Sequence, residues 1–398
     1  MTERPALRPG LTAIPDPTQP GFVFLLDRFF LTDRQARLSR LELDWLQLCD
    51  GTRTVRDIHA DVGRSLNGQT PPLAVFERLL AQLEAAAFLD GPRYRQLLDG
   101  PIREPSCIGA YEGDPDKLRL QVERLFRAGP GLPAAGKPDG SLRAALIPHM
   151  DYQRGGLTYA WGFKELFEKT AAKLFIVIAT SHYSAHRFTL TRKHFKTPLG
   201  VVPTDQQFID RLAAEYGSGL FDDPFAHLPE HSIELEVVFL QYLYEGRPFR
   251  IVPLLVGSFH DCVAEGGNPL QRRDIARMVD ALRRVEAATR EPICYLISGD
   301  LAHIGPKFGD PLPVGERFLD ESRQLDQEIL RHTAAANPGS YFQAIADEGD
   351  RRRICGLSPT FTTLQAARPA RGKVLHYDQY VHPQGHESVS FASVAFYR

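Results

Sequence analysis

From about residue 141 to the carboxyl end, short apolar runs alternate with longer stretches in which apolar residues return every three or four positions. Ala144–Ile147, Leu174–Ala179, Phe249–Val256 and Ile293–Ser298 are the short runs. Their length and β-branched content predict strands buried on both faces. Helical periodicity falls at Tyr159–Lys169, Gln206–Tyr216, Ile233–Tyr244, Arg272–Thr289 and Gly315–His332. That alternation predicts an α/β domain over 141–398, with a mostly parallel sheet flanked by helices.

The amino-terminal part reads differently. Residues 1–21 are rich in Pro and Gly without periodicity and are expected to form a loose leader. Over 22–97, Phe22–Leu26 suits a strand, and Leu41, Trp45 and Leu48 share one face of a first helix. Thr54 is placed to cap a second helix carrying Val55, Ile58 and Val62. A third runs from about Leu73 to Ala87 and ends at Phe88-Leu89-Asp90-Gly91. This predicts a small winged-helix-like domain. Residues 98–140 contain Pro101, Pro105, Pro115, Pro130, Pro133 and Pro138 around one helical piece at Asp116–Ala128, and read as a connector.

Composition narrows the partners. The net charge of −2 and the isoelectric point near 6.7 give no electrostatic case for nucleic acid or an anionic membrane. No apolar run is long enough to span a bilayer, and the first residues show no basic segment leading into an apolar one, so a cytoplasmic location is expected. The five cysteines are scattered and contain no CxxC pair, which argues for reduced, half-buried thiols. Cys355, just before Gly356, is the one cysteine whose setting sets it apart.

The chemistry concentrates in four histidine-bearing segments that follow strands or lie in loops: Pro148-His149-Met150-Asp151, Ser181-His182, Glu230-His231-Ser232 and Ser298-Gly299-Asp300-Leu301-Ala302-His303. In an α/β sheet, residues at the carboxyl ends of strands line the ligand crevice. Imidazoles delivered there from neighbouring strands can converge on one metal ion. Asp151, Tyr152 and Arg154 follow the first of them and either line a substrate pocket or pack the turn before the next helix. Arg351-Arg352-Arg353 reads as a solvated charged surface, with an anionic partner as the alternative.

In chain order, "PH.DY..GG..YA", "SH", "TPLG", "EHSIE", "VPLL.GS", "SGDL.H.G" and "ICG" resemble the Memo family, which is structurally related to the class III (LigB-type) extradiol dioxygenases. The resemblance spans about 250 residues, from Pro148 to the Ser388–Ala392 ending. It implies metal ligands at His149 and His182. Animal members carry a third ligand, Cys, where this chain has Ala302, which cannot bind a metal. Asp300 and His303 are the nearby replacements. A carboxylate with two His suits non-haem Fe(II), and three His suit zinc, copper or iron. The resemblance therefore implies one ion, iron(II) or copper first and zinc second. His231 matches the acid–base histidine of the related dioxygenases; the alternative is that Ser232 caps a helix and His231 merely packs. The segment "DGTRTV…I…" with its terminal "FL" resembles the small PqqD-like peptide-recognition domains, against a structural cap as the alternative.

The resulting expectation is a metal-dependent oxidoreductase, dioxygenase-like, acting on a small-molecule or peptide substrate, with a radical-SAM protein as pathway partner. The competing expectations are a peptide-binding scaffold with a vestigial metal site, favoured by Ala302, and metal-assisted hydrolysis.

Overall fold

In a computed structural model the chain is described over residues 3–27, 31–32, 35–65 and 71–398. It divides into two compact units, Met1–Ser106 and Cys107–Arg398. The division falls within the stretch expected as a connector.

The first unit contains strands β1 (Leu11–Pro15), β2 (Phe22–Asp27) and β3 (Ala36–Ser39), helices α1 (Arg40–Gln47), α2 (Val55–Ser65), α3 (Leu73–Ala85) and α4 (Pro92–Asp99), and the two-residue strand β4 (Ile102–Arg103). β1, β2 and β3 form an antiparallel sheet in that order. Part of the expected leader is therefore ordered: Leu11–Pro15 pairs residue for residue with Val23–Asp27. Pairing across a sheet supplies backbone partners that composition does not reveal. Helix α1 begins with a capping box, in which Ser39 and Glu42 exchange side-chain and backbone hydrogen bonds. Thr54 and Asp57 make the same reciprocal exchange at α2. Leu38, Trp45, Leu46, Ile58, Phe76, Leu80, Leu83 and Phe88 close a core of the unit's own, with Trp45 edge-on to Phe76 at 5.2 Å.

The second unit opens with α5 (Pro115–Ala128) and continues through β5 (Leu142–Ile147), α6 (Gly156–Lys169), β6 (Leu174–Thr180), β7 (Phe188–Leu190), β8 (His194–Thr197), β9 (Gly200–Val202), α7 (Gln206–Tyr216) and α8 (His231–Leu243). It then runs through β10 (Arg250–Val256), α9 (His260–Glu265), α10 (Arg273–Ala287), β11 (Ile293–Ser298), β12 (His303–Ile304), α11 (Glu316–Ala334), α12 (Pro338–Asp347), α13 (Leu357–Ala367), β13 (Arg371–Val381) and β14 (Ser388–Tyr397). Eight strands form one sheet in the order β12-β14-β5-β11-β6-β10-β7, with β13 also on β14.

The α/β architecture with flanking helices is as expected, and the sheet is mixed. Its centre, β5-β11-β6-β10, is parallel, whereas β7, β12, β13 and β14 join antiparallel. Side-chain alternation sends Ile176 and Ile178 to one face and Phe175 and Val177 to the other. Helices α5, α6 and α8 cover the second face; α7, α10, α12 and α13 cover the first. Phe239 stacks on Phe163 and Tyr159 at 4.9 and 5.2 Å and holds α8 to α6. The arginine triplet is solvated only in part, with Arg351 exposed. Arg352 is 1% exposed and pairs with Asp326 and Glu348, while Arg353 pairs with Asp310.

Candidate metal centre

The register of the parallel strands builds the site. Ser298 lies level with Ile147 on one side and Ala179 on the other. The chain therefore leaves three adjacent strands at one height, and His149, Asp300 and His182 follow within two or three residues. Helix α8 is tied down on this edge. Ser232 Oγ donates to the Thr180 carbonyl at 2.8 Å, and Ser298 Oγ donates to the Ser232 carbonyl at 2.7 Å. These bonds bring His231, the first residue of α8, over the strand ends.

The three imidazoles meet. Ring centroids of His149, His182 and His231 lie 5.1, 5.2 and 4.7 Å apart pairwise, and one nitrogen from each falls within 4.8 Å of the other two. Each Nδ1 has a partner behind it. His182 Nδ1 is 2.9 Å and His231 Nδ1 is 3.4 Å from Glu230 Oε1, and His149 Nδ1 is 3.3 Å from Ser298 Oγ. Together the three rings form a group that could hold a cation. Metal-ligating histidines carry this kind of backing group on the second nitrogen.

Glu230, rather than Ser232, is the helix cap. It is 1% exposed and accepts the backbone N–H of Ser232 at 3.1 Å and of His182 at 2.7 Å. Sequence reasoning placed it only as a neighbour of His231. Its signal was an acid one residue before a helix start, the position where a carboxylate meets free N–H groups.

A second donor group shares His149. Nε2 is 3.3 Å from Cys355 Sγ and 3.6 Å from Asp300 Oδ2, and these atoms fall together within 4.8 Å. Asp300 Oδ1 accepts the His149 backbone N–H at 3.0 Å. Cys355 comes from the turn before α13, which presses against the strand ends through Gly299 and Gly356. A Cβ on Gly299 would lie 2.6 Å from the Gly356 Cα, so the two backbones touch only because both residues lack side chains. Of the five thiols Cys355 is thus the one beside the site, and the glycine that follows it in the sequence was the clue.

The remaining candidates separate clearly. His303 is in neither donor group: its Nδ1 lies 3.1 Å from the carbonyls of Leu301 and Arg353, and its ring packs edge-on to Phe308. Tyr152 is buried in the packing of the turn. It is 2% exposed, donates to the Leu235 carbonyl and packs on Tyr111, Tyr159 and Phe239. Asp151 folds the turn by accepting from the backbones of Gln153 and Arg154 and pairing with the Arg154 side chain. Arg154 also faces Glu387 at 3.5 Å and covers the Tyr380 ring. The contacts observed for these residues are those that pack the turn before α6.

Burial and mutual charge set the protonation of the cluster. Burial, then the neighbouring His182 and His231, hold His149 well below the ordinary histidine range, so its ring is neutral. Burial opposes charge on His182 too, but Glu230 outweighs it and the net shift is upward. Burial would likewise raise Glu230, yet His182 and His231 hold it far below the usual carboxylate range. Burial raises Asp300 to about 7 against the bond from His149, and lowers His303 to about 4. The Cys355 thiol is pushed up by burial and then by the Asp300 charge. His149 is thus held neutral, while the buried Glu230 carboxylate favours positive charge on His182, whether from a proton or from a bound cation.

An α/β sheet with a histidine cluster at its carboxyl edge defines a class of candidate metalloproteins. The profile of the family described as Memo-like protein matches residues 103–395, and the chain belongs to that family. A MEMO1 family protein of Aquifex aeolicus is 26% identical over 365 residues, covering 88% of this chain and 90% of that one. Another, from Methanopyrus kandleri, is 29% identical over 74% of this chain and 99% of its own length. A third, from Sulfurisphaera tokodaii, reaches 35% over 67% of this chain and 88% of its own. Among the described residues, no helix is long and apolar enough to cross a membrane.

Proposed function

We propose that the chain is a metal-dependent oxidoreductase, dioxygenase-like in type, that holds one ion on His149, His182 and His231. The supporting observation is the set of Nδ1 partners: Ser298 behind His149, and Glu230 behind both His182 and His231. Three rings so fixed offer a set of imidazole donors close enough together to hold one ion. This donor set suits iron(II) or copper, and also zinc. When bound, a redox-active ion would supply the electron chemistry for oxygen-dependent oxidation of a substrate.

The protein's own residues do the rest. Glu230 orients two rings and balances the ion's charge. Asp300, 3.6 Å from His149 Nε2, is the group that takes up or releases a proton at Oδ2. His231 was expected as the acid–base group; its closeness to the other two rings supports counting it among the ligands instead. The substrate would be a small molecule or a peptide. We assign peptide recognition to residues 22–97, supported by the DGTRTV segment and its helices, and a radical-SAM protein as the partner supplying the modified substrate. Five free cysteines fit a reducing, cytoplasmic setting.

The test is metal analysis of anaerobically purified chain, with oxygen uptake followed after Fe(II) or Cu(I) loading. Near-stoichiometric iron or copper supports the proposal. Absence of metal and no uptake of either ion would leave the scaffold reading, which Ala302 favours. Tightly bound zinc with no oxygen uptake would favour metal-assisted hydrolysis.

A further inference from the structure

The large sheet of the second unit ends on an open strand. β13 has eleven residues and pairs with β14 alone; among the described residues no strand pairs with its outer edge. β14 is buried throughout, whereas every residue of β13 is half-buried or exposed. A row of unpaired N–H and C=O groups is a template for another strand, and proteins blunt such edges with charges and bulges. β13 carries both devices, and their arrangement leaves one pairing open.

Pairing steps from Val374 opposite Val394 to His376 opposite Ser393, so Leu375 forms a bulge. The bulge resets the alternation of side chains. Arg371, Lys373, His376, Asp378 and Tyr380 lie opposite Tyr397, Ala395, Ser393, Phe391 and Val389, every second residue of β14, and so share one face. His376 stacks on Trp161 of α6 at 6.1 Å, and Leu375 packs in the cluster on this same side. Val374 and Tyr377 lie on the other face, where the Tyr377 hydroxyl donates to Asp326 of α11 at 2.8 Å. Without the extra residue, Lys373 and Asp378 would point to opposite faces. Both are exposed, and neither forms an ion pair among the described residues. Four β14 residues separate their partners, about 13 Å along the strand, which is too far for the two to pair within one chain.

We propose that β13 pairs antiparallel with β13 of a second copy, Lys373 opposite the partner's Asp378, and joins two eight-stranded sheets into one. A two-fold axis normal to a sheet sets residues of the same face opposite each other. With the axis between Leu375 and His376 this holds from Arg371 to Tyr380. Val374 then meets the partner's Tyr377, Lys373 the partner's Asp378, Gly372 the partner's Gln379 and Arg371 the partner's Tyr380. A shift of two residues either way sets unlike faces against each other at the bulge. Symmetry makes the Lys373–Asp378 contact twice, so both unpaired charges are satisfied together. The metal reading has no part in this inference.

Sedimentation of the full chain over about 1–200 µM should show a reversible monomer–dimer equilibrium, as fits a contact smaller than a standard protein interface. Asp378→Lys sets two like-charged pairs opposite each other and should weaken the dimer about tenfold or more. Lys373→Asp should do the same, and the double variant Lys373→Asp, Asp378→Lys should return to within about threefold of wild type. Hydrogen exchange at rising concentration should slow amides of β13, whose outer N–H groups are open to water in the monomer. A monomer over the whole range overturns the proposal. So does a dimer that neither single variant weakens, one that the double variant fails to restore, or one that leaves exchange at β13 unchanged. Should one variant fail to fold, the other single variant and the exchange pattern decide.

Discussion

Replacing Glu230 by glutamine preserves its shape and removes what the site needs from it. The Glu230 carboxylate accepts from three N–H groups: the His182 backbone at 2.7 Å, His182 Nδ1 at 2.9 Å and the Ser232 backbone at 3.1 Å. A carboxylate is acceptor-only, whereas an amide must turn an NH₂ toward one of these N–H groups whichever way it is flipped. At a residue 1% exposed, water cannot take over the lost bond. An unsatisfied buried group costs about 1–3 kcal/mol, and loss of the capping charge at the α8 start adds roughly 0.3–1 kcal/mol. Glu230→Gln should therefore lose about 1–4 kcal/mol of stability in urea denaturation. Metal affinity should fall by about 10–100-fold, or roughly 1.4–2.8 kcal/mol, because two of the three rings lose their anionic anchor. Isothermal titration of Fe(II) or Zn(II) under anaerobic conditions reads the second quantity on the same preparation. Wild-type stability together with wild-type affinity would refute the argument. Normal affinity with reduced stability would confine Glu230 to capping the helix.

Four further outcomes are expected from the same geometry. His149→Ala and His182→Ala should each abolish or strongly weaken metal uptake, and near-normal metal content in both would put any ion elsewhere. His231→Ala should also lose metal; retained metal with turnover lowered by about two to four orders of magnitude would return it to an acid–base role. Cys355→Ser should weaken Zn(II) binding by less than about tenfold, the lower edge of outer-group effects, and a strong thiolate band in Co(II)-loaded wild type would instead put sulfur in the ligand set. Arg352→Met should cost about 3–5 kcal/mol in urea denaturation, because Asp326 would keep a buried charge without its partner; an unchanged midpoint would mean that Tyr377 alone satisfies it.

The sequence determined the local elements where one residue pattern allows one structure. The runs at Leu174 and Ile293 could only be buried strands, and helices at 206–216 and 273–287 lie within the predicted spans. It also located the chemistry, because His149, His182 and Asp300 follow strands directly, and strand ends in such sheets face one crevice. Pairing decided what pattern could not. β14 is apolar throughout, yet its antiparallel seat against β5 depends on partners far away in the chain. The same holds for Leu11–Pro15, whose Pro and Gly neighbours suggested a loose leader. At the site, spacing could not choose between Asp300 and His303, since both lie close to Ala302. Tertiary structure separates them by direction: the Asp300 carboxyl lies beside His149, while His303 Nδ1 faces backbone carbonyls. Nor could spacing reveal Cys355, which reaches His149 from more than two hundred residues away through the contact of Gly299 with Gly356. Periodicity reports which face of an element is buried. Which side chains converge depends on register and on close backbone approach, and both exist only in the folded chain.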